Sequence, residues 1–454
     1  MKSHLSERVY LASPVIVQNL LVSLYGLLEH NNRYKGVYNA LSEELFKNEF
    51  MSKAELEEVE NSLLEKAIKN ALNNVPHYQA LNIPDARIES FPVLSRAEVF
   101  NDPESFVAKQ YRNTKLIALY TGGSTGNPLK VFLNKDVRRK SYAFWNRFYR
   151  LIGFRIGEKK ATFVGRKVQE PDNSKPPFWR YNMIDRQLMF SSFHLSKENI
   201  PLYIKKLNQF KPAIVEGYPL SILQISQYLI DNGIELDFIP KGISTSSENF
   251  SAQQRATIEN SFKCNVFDQY GSAESVVFAS DCEYKNKHIA IEYGMVEVID
   301  EAGDIKREGD GELIVTSFLN DVMPLIRYRI GDLGKVSCKK CKCNRNTPIL
   351  EELHGKVGAY IVAGDKRVSA ASLAIAFEYL KNVKKSQIIQ NEPEQAVVKL
   401  VVTPEFNQEE EDFMLWELMK MLGNDFGIEL QKVDAIPPAK NGKYQMVVQN
   451  YYKD

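Results

Sequence analysis

The sequence has no excess of charge of either sign. Lysine and arginine together number 58 and aspartate and glutamate 57, so the formal net charge is +1. A protein that binds nucleic acid or an acidic membrane through its overall charge needs a basic excess. We therefore expect no nucleic-acid partner. Internal repeats and low-complexity tracts are also absent, which excludes a repeat architecture.

Cysteine is scarce, and most of it is clustered. Of five cysteines, three lie in the stretch CKKCKC, from Cys338 to Cys343. The sequence begins without the basic stretch, apolar core and cleavage site of a secretory signal, so we expect a cytoplasmic protein. In that compartment clustered cysteines indicate metal binding before disulfide bonds.

No apolar run is long enough for a membrane span. The best candidate is SPVIVQNLLVSLYGLL, Ser13 to Leu28, which is short and is interrupted by Gln18 and Asn19. We interpret this stretch as a helix buried in the protein. The alternative is a helix that makes weak contact with a membrane surface.

The length of 454 residues exceeds what one hydrophobic core usually serves, so we expect at least two domains. From about Leu116 to Asp332, short apolar runs alternate with helical patterns, which predicts a large α/β domain built on several sheets. The last hundred residues predict a small α+β domain. The stretch LEELHGKVGAY, Leu350 to Tyr360, is the predicted hinge, and the domains are residues 1–354 and 355–454.

The first functional motif is the loop YTGGSTGNPLK, Tyr120 to Lys130, which follows the apolar run LIALY. Its glycines and hydroxyl side chains predict a nest of backbone N–H groups that can bind a phosphate, and Lys130 adds a positive charge. The loop lacks the Gly-Lys-Ser/Thr ending of a Walker A motif. Taken alone, a plain turn is the alternative.

Three further stretches accompany this loop: DQYGSAE from Asp268 to Glu274, PLIRYRIGDLG from Pro324 to Gly334, and NGKYQMVV from Asn441 to Val448. In order and spacing the four motifs resemble the acyl-adenylate-forming superfamily of acyl-CoA ligases, luciferases and peptide-synthetase adenylation domains. The residues in these motifs are similar to those of the phenylacetate–CoA ligase-like branch. The stretch that begins at Ser13 is similar to relatives in capsular and surface polysaccharide biosynthesis.

The resemblance implies an N-terminal adenylation domain, a small mobile C-terminal lid domain, and ATP with Mg²⁺ as cofactors. It assigns the β- and γ-phosphates of ATP to the loop residues Thr121, Gly123, Ser124, Thr125 and Gly126. Lys130 would assist them, or it is a solvated surface lysine.

The resemblance also assigns the rest of the nucleotide. Tyr270, with Gly271 and Ser272, would pack on the adenine, and Glu274 would hold Mg²⁺, which takes one or two protein carboxylates when it bridges phosphates. Ser247 and Glu248, in the stretch STSSEN, would form the other wall of the adenine pocket.

Asp332 would accept hydrogen bonds from the two ribose hydroxyls, a diol that suits a carboxylate. The alternatives for these assignments are a glutamate at a helix start for Glu274 and a helix N-cap for STSSEN.

Lys443 matches the lysine that the lid brings to the adenylation site, where it would stabilise the charge that develops as pyrophosphate leaves. With Glu274 and Thr125 it forms the predicted catalytic set. In the hinge, Lys356 stands where the superfamily usually has arginine, and Gly358 and Ala359 stand where acids are expected. This departure leaves the geometry of a CoA-dependent second step open.

Cys282 and His288 follow the motif YGSAE closely, and the cysteine cluster follows YRIGD closely. The phenylacetate–CoA ligase-like branch has members with a similar Cys…His and Cys-x-Cys pattern. A structural Zn²⁺ is therefore predicted on four ligands: Cys282, His288, Cys341 and Cys343. Cys338 is left over, and the alternative is a group of reduced, unligated thiols.

The predicted function is ATP-dependent conversion of a small carboxylic acid to an acyl-AMP with release of pyrophosphate, followed by transfer to CoA. One alternative acceptor is an amine, which would give an amide in a surface polysaccharide. The chain could instead be an inactive nucleotide-binding relative, or a zinc-dependent binding module that contacts nucleic acid through the basic stretch CKKCKCNR.

Overall fold

The computed structural model describes residues 9–120, 129–165, 168–170, 173–356, 360–364, 366–370, 373, 376–377, 380, 382–437 and 444–451. The α-helices with both ends in these ranges are α1 (Val15–Arg33), α2 (Val37–Asn48), α3 (Lys53–Asn74), α4 (Pro76–Ala80), α5 (Arg96–Asn101), α6 (Lys135–Leu151), α7 (Ile200–Phe210), α8 (Pro219–Asp231), α9 (Ala252–Phe262) and α10 (Gln408–Leu422). Short 3-10 turns cover Ile88–Ser90, Pro103–Phe106, Lys109–Tyr111 and Ser192–His194.

Thirteen strands join into one mixed sheet. They are β3 (Lys160–Val164), β4 (Trp179–Asn182), β5 (Gln187–Ser191), β6 (Ile214–Gly217), β7 (Gly242–Ser246), β8 (Val266–Gly271), β9 (Phe278–Asp281), β10 (Lys287–Ile289), β11 (Gly294–Ile299), β12 (Ile305–Lys306), β13 (Gly309–Ser317), β14 (Tyr328–Ser337) and β15 (Ile349–Lys356). Their order is β12-β11-β13-β14-β15-β10-β9-β8-β7-β6-β3-β5-β4. Before them, β1 (Ile117–Tyr120) and β2 (Lys130–Leu133) form an antiparallel ribbon.

The part of the large sheet next to its β4 edge is parallel. Strands β5, β3, β6, β7 and β8 run in one direction, because α7, α8 and α9 return the chain between successive strands. Most residues of these strands are buried on both faces of the sheet, including several polar ones such as Thr162 and Ser244. Their carboxyl ends therefore meet at one edge, where ligands collect in open α/β sheets.

The C-terminal part has its own sheets and its own apolar core. Strands β16 (Tyr360–Ala363) and β17 (Lys366–Ser369) form a ribbon. A second sheet has the order β20-β19-β18-β21, from β18 (Val383–Glu392), β19 (Gln395–Val402), β20 (Gly427–Lys432) and β21 (Val447–Gln449). Helix α10 contributes Met414, Leu418 and Leu422 to the core between them. The predicted α/β class with a smaller α+β part is confirmed.

The predicted boundary at residues 354 and 355 lies inside a strand. Strand β15 continues to Lys356 and pairs with β14 along its length. Residues 357–359, which include Gly358 and Ala359 of the predicted hinge, lie outside the described residues. The two-domain division stays a prediction.

Helix α1 does not have the orientation predicted for a buried helix. Its fully buried residues are polar or small, namely Gln18, Ser23, Gly26 and Glu29, and most of its leucine, isoleucine and valine side chains face outward. The prediction of an apolar helix buried in the protein was therefore wrong. Within the described part of the chain, no helix combines the length and apolarity that crossing a membrane requires.

The polar face of α1 satisfies the free edge of β4, the last strand of the large sheet. The Asn19 side-chain oxygen accepts a hydrogen bond from the backbone N–H of Tyr181 at 2.9 Å. The Ser23 hydroxyl oxygen accepts one from the N–H of Met183 at 3.0 Å. Unpaired N–H groups on an edge strand are a template for pairing with another chain, so the helix protects the edge with its polar side chains.

This arrangement predicts that removing a polar side chain from α1 destabilises the protein more than removing a leucine side chain from it. Asn19→Ala should lower the free energy of unfolding by about 1–2 kcal/mol, because it leaves the Tyr181 N–H without its partner. Leu24→Ala, on the exposed face of the same helix, should change stability by less than about 0.5 kcal/mol. Thermal and denaturant unfolding of the two variants measures the difference. A larger loss for Leu24→Ala would show that the apolar face packs inward.

Candidate functional site

The carboxyl ends of β6 and β7 bring two loops together. The Glu248 carboxylate, just after β7, accepts a hydrogen bond from the backbone N–H of Leu220 at the start of α8, at 3.4 Å. Ser247 has a positive φ of 75°, which is uncommon for serine and marks a backbone held by its surroundings. The predicted adenine wall is thus a constrained turn at the carboxyl end of β7.

Glu248 also contacts the C-terminal part. Its second carboxylate oxygen accepts a hydrogen bond from the backbone N–H of Tyr444 at 2.8 Å. Tyr444 directly follows Lys443 in the sequence. Lys443 itself lies outside the described residues, so its predicted role stays a prediction, but its neighbour is fixed at the predicted adenine wall.

Tyr270 and Asp332 meet although 62 residues separate them. The Tyr270 hydroxyl, near the end of β8, donates a hydrogen bond to the Asp332 carboxylate on β14 at 2.7 Å. Burial, and then the Asp332 charge, raise the pKa of Tyr270 well above its usual value, so the phenol stays protonated and remains a donor. The predicted adenine and ribose residues therefore lie side by side.

Lys356 lies across the strand pair from Asp332. In the antiparallel ladder of β14 and β15 the two residues are register partners. The backbone of the predicted hinge thus passes directly beside the predicted ribose ligand.

Glu274, the predicted Mg²⁺ ligand, is buried and has an arginine beside it. The guanidinium of Arg96, the first residue of α5, lies 3.6 Å from its carboxylate. Arg96 comes from the N-terminal part of the chain and was missed in the sequence. It stands just after the capping serine in VLSRAEV, where an arginine is usually a surface residue, so no local signal identifies it.

Two buried hydroxyls of the predicted site have no hydrogen-bond partner among the described residues. They are Ser272, just after Gly271 in the motif YGSAE, and Ser244 on β7. A buried hydroxyl is usually hydrogen-bonded to protein, ordered water or a ligand.

Most of the predicted phosphate loop is outside the described residues. This applies to Thr121, Gly123, Ser124, Thr125 and Gly126, so their predicted roles stay predictions. Lys130, at the end of the loop, forms an ion pair with Glu104 at 2.7 Å. Both alternatives for Lys130, assistance of the phosphates or a surface position, stay predictions.

The four predicted zinc ligands come together. The ligand atoms of Cys282, His288, Cys341 and Cys343 all lie within 4.8 Å of one another, and all four residues are buried. Strand β9 and the turn after it position Cys282, β10 positions His288, and the loop between β14 and β15 supplies the other two cysteines. Cys338 is exposed and is not in the group.

The distances in this cluster fit a tetrahedral ion. The sulfurs of Cys282 and Cys341 are 3.7 Å apart, and two sulfurs bound to zinc at tetrahedral angles would be about 3.8 Å apart. The Nε2 atom of His288 faces the Cys343 sulfur at 3.2 Å. Its Nδ1 atom lies 3.2 Å from the Thr347 carbonyl, the kind of partner that orients a metal-binding histidine.

The protonation states also suit a cation. Burial lowers the pKa of His288 to about 4, so the imidazole is neutral at pH 7, as a ligand must be. Burial raises the pKa of the Cys282 thiol to about 12, so a thiolate there needs a positive ion to compensate its charge. The donor set of three cysteines and one histidine fits Zn²⁺.

A buried charge network lies between the four predicted zinc ligands and the predicted nucleotide motif. Lys287 contacts Asp268 and, at 3.8 Å, Asp281. Arg255 on α9 pairs with Asp281 at 2.7 Å, and Thr245 on β7 donates to Asp268 at 2.7 Å. Burial alone would lower the pKa of Lys287, but the two carboxylates hold it above its usual value. The network thus joins four strands and one helix.

Two curated relatives are similar in sequence. Protein CapK of Staphylococcus aureus is 29% identical over 455 residues, which cover 97% of this chain and 99% of that protein. Indoleacetate–lysine synthetase of Pseudomonas savastanoi is 29% identical over 139 residues, 30% of this chain and 33% of that protein. The family described as the CapK C-terminal domain matches residues 361–450.

A solved ligase has the same fold. 2-Hydroxyisobutyryl-CoA ligase in its postadenylation state superposes with a TM-score of 0.66 at 14% identity, over 89% of this chain and 91% of that one. The same ligase in its thioesterification state gives a TM-score of 0.54 at 15% identity, over 89% and 92%. The predicted resemblance is confirmed: this chain has the fold of the adenylate-forming acyl-CoA ligases and is similar along its whole length to CapK.

Proposed function

We propose that this protein is an AMP-forming ligase that activates a small carboxylic acid with ATP and transfers the acyl group to a thiol or an amine. The observation that carries the proposal is the convergence of Tyr270, Asp332 and Glu248 at the carboxyl edge of the sheet. With Tyr444, they bring four distant segments of the chain to the edge where a nucleotide would bind.

The chain's own residues bind and orient the nucleotide. Asp332 is buried and would accept hydrogen bonds from the ribose, while Tyr270 holds its carboxylate in place. The constrained turn at Ser247 and Glu248 closes the other side. Orientation of two reactants is worth many kcal/mol of barrier, about 7–11 in favourable cases, so positioning accounts for much of the catalysis.

Glu274 and Arg96 would handle the triphosphate charge. The carboxylate of Glu274 fits a hard cation, and Mg²⁺ supplies charge neutralisation where phosphates are bridged. Arg96 already lies against this carboxylate, so the pair is close to neutral before ATP binds. The negative charge of the bound triphosphate would allow both Arg96 and Mg²⁺ to lie near Glu274.

The arrangement of the C-terminal part supports the first half-reaction. The chain superposes better on the postadenylation state of the solved ligase than on its thioesterification state. In this arrangement the bond from Tyr444 N–H to Glu248 holds the segment beside Lys443 at the adenine wall. Lys443 would then stabilise the charge that develops as pyrophosphate leaves.

The acceptor is either CoA or an amine. The name of the structural neighbour, a CoA ligase, favours a thiol. The name of indoleacetate–lysine synthetase favours an amine, as an amide-forming ligase in surface polysaccharide synthesis would need. Product formation in the presence of CoA or of a panel of amines separates the two.

Pyrophosphate exchange into ATP tests the activation step. A panel of aryl acetates, fatty acids, amino acids and uronic acids should give exchange with one class. Lys443→Ala should reduce that exchange by about a hundredfold or more while ATP still binds, because a group that stabilises developing charge acts in the transition state. Lys440→Ala, three residues earlier, is the matched control and should retain exchange.

Two results would contradict this proposal. Absence of exchange with every acid, together with normal ATP binding, would favour an inactive nucleotide-binding relative. Unchanged exchange in Lys443→Ala would remove that lysine from the mechanism.

The ribose assignment predicts a loss of nucleotide affinity. Asp332→Ala should raise the Kd for ATP roughly tenfold or more, since hydrogen bonds to a charged group contribute about 1.5–3 kcal/mol. Tyr270→Phe keeps the aromatic face and removes only the hydroxyl that orients Asp332, so its Kd should rise less than that of Asp332→Ala. Calorimetry on both variants makes the measurement, and a normal Kd for Asp332→Ala would reject the assignment.

We also propose that the Cys282, His288, Cys341 and Cys343 cluster binds a structural Zn²⁺. All four positions are protein ligands, which leaves no open position for water, so the ion would hold the fold and take no part in the chemistry.

Elemental analysis tests the zinc proposal. The purified protein should contain one zinc ion per chain, and Cys343→Ser should lose most of it and unfold at a lower temperature. Cys338→Ser is the matched control, because this cysteine lies in the same stretch but outside the cluster; it should retain the ion. Equal zinc content in both variants would exclude the site.

A further inference from the structure

Helix α1 presents an apolar surface to solvent. Ile16 is 83% exposed, Leu24 54% and Leu28 63%. The same face carries five more exposed apolar or aromatic side chains: Val17, Leu20, Leu21, Tyr25 and Leu27. Met183 and Ile184, in the turn after β4, are exposed beside it. A contiguous apolar surface of this kind on a folded protein marks an interaction site.

The helix cannot turn this surface inward. Its opposite face is held by hydrogen bonds to the sheet edge through Asn19 and Ser23, and Gln18 accepts a hydrogen bond from the buried Arg180. Gly26 lies so close to the Asn182 side chain that any larger residue at this position would collide with it. Rotation about the helix axis would break these contacts, so the apolar face stays outward.

The width of this apolar surface indicates what kind of partner binds to it. At about 100° per residue, the exposed side chains from Ile16 to Leu28 cover roughly half of the helix circumference. Pairing with one other helix covers a narrower stripe, about 100° wide, and would leave the flanks in water. A bilayer interface takes up a whole half-cylinder, because the helix lies in the plane of the membrane with its apolar face among the acyl chains.

The charges near the helix agree with a lipid surface. No charged residue occurs from Leu11 to Leu28. At the C-terminal end of the helix, Arg33 and Arg138 share the single carboxylate of Glu29, and Lys35 is exposed. Positive charge beside an apolar helix strengthens binding to anionic lipids.

We propose that the exposed face of α1 docks this protein on the interface of a lipid bilayer that contains anionic lipids. The helix lies on the membrane and does not cross it. Docking is independent of the proposed ligase activity, because α1 contributes none of the residues assigned to the nucleotide or to the metal.

Vesicle flotation tests the docking. The full-length protein should float with vesicles of phosphatidylcholine and phosphatidylglycerol, and less with phosphatidylcholine alone. Leu24→Glu and Ile16→Glu should each reduce the bound fraction about tenfold, the effect of losing one buried aliphatic side chain. Ile239→Glu is the matched control: Ile239 is 64% exposed but lies away from α1 in the sequence, so binding should be unchanged.

Light scattering on the same proteins distinguishes the other occupant. A lipid-docking helix predicts that Leu24→Glu leaves the oligomeric state unchanged. A dimer that Leu24→Glu dissociates, without vesicle binding by the natural sequence, would assign the face to a second copy and overturn the proposal. Failure of the natural sequence to bind either kind of vesicle, or undiminished binding by both glutamate variants, would overturn it as well.

Discussion

The buried network around Lys287 is the constraint on which both proposed sites depend. Asp268 begins the motif that ends in Glu274, and Asp281 directly precedes Cys282, while Lys287 directly precedes His288. A buried charge without its partner costs several kcal/mol, so these groups fix one another's positions strongly. The strands that carry Tyr270 and the metal cluster are therefore held in a single register. This explains how a nucleotide motif and a metal cluster, each built from short peptide segments, can keep their geometry in a sheet of thirteen strands.

Much of the fold could be predicted from local patterns. The short apolar runs that predicted a large α/β domain are strands of the large sheet, and the last hundred residues form the smaller α+β part. These signals are local, since a buried strand depends on neighbouring residues. The four metal-cluster residues were also predicted, because the resemblance supplied pairings that the spacing alone does not.

The remaining features depend on contacts between distant segments. The orientation of α1 could not be predicted, because the hydrophobic pattern of a helix does not show that Asn19 and Ser23 satisfy a sheet edge more than 150 residues away. The position of Arg96 beside the predicted site could not be predicted for the same reason, because its partner, Glu274, is 178 residues later in the chain. Where a polar group finds its partner far away, composition and periodicity favour the wrong face or the wrong role.

The covering of β4 by α1 has a consequence for the outward residues of the helix. The last strand of an open sheet has unpaired backbone groups that can pair with another molecule. In this protein, two side chains of α1 form hydrogen bonds with that strand in place of a further strand. Because the helix forms these hydrogen bonds with its polar face, its exposed apolar face contributes little to the stability of the fold. Substitutions of the outward residues, such as leucine to lysine, can therefore change what this face of the protein contacts without loss of stability in the rest of the fold.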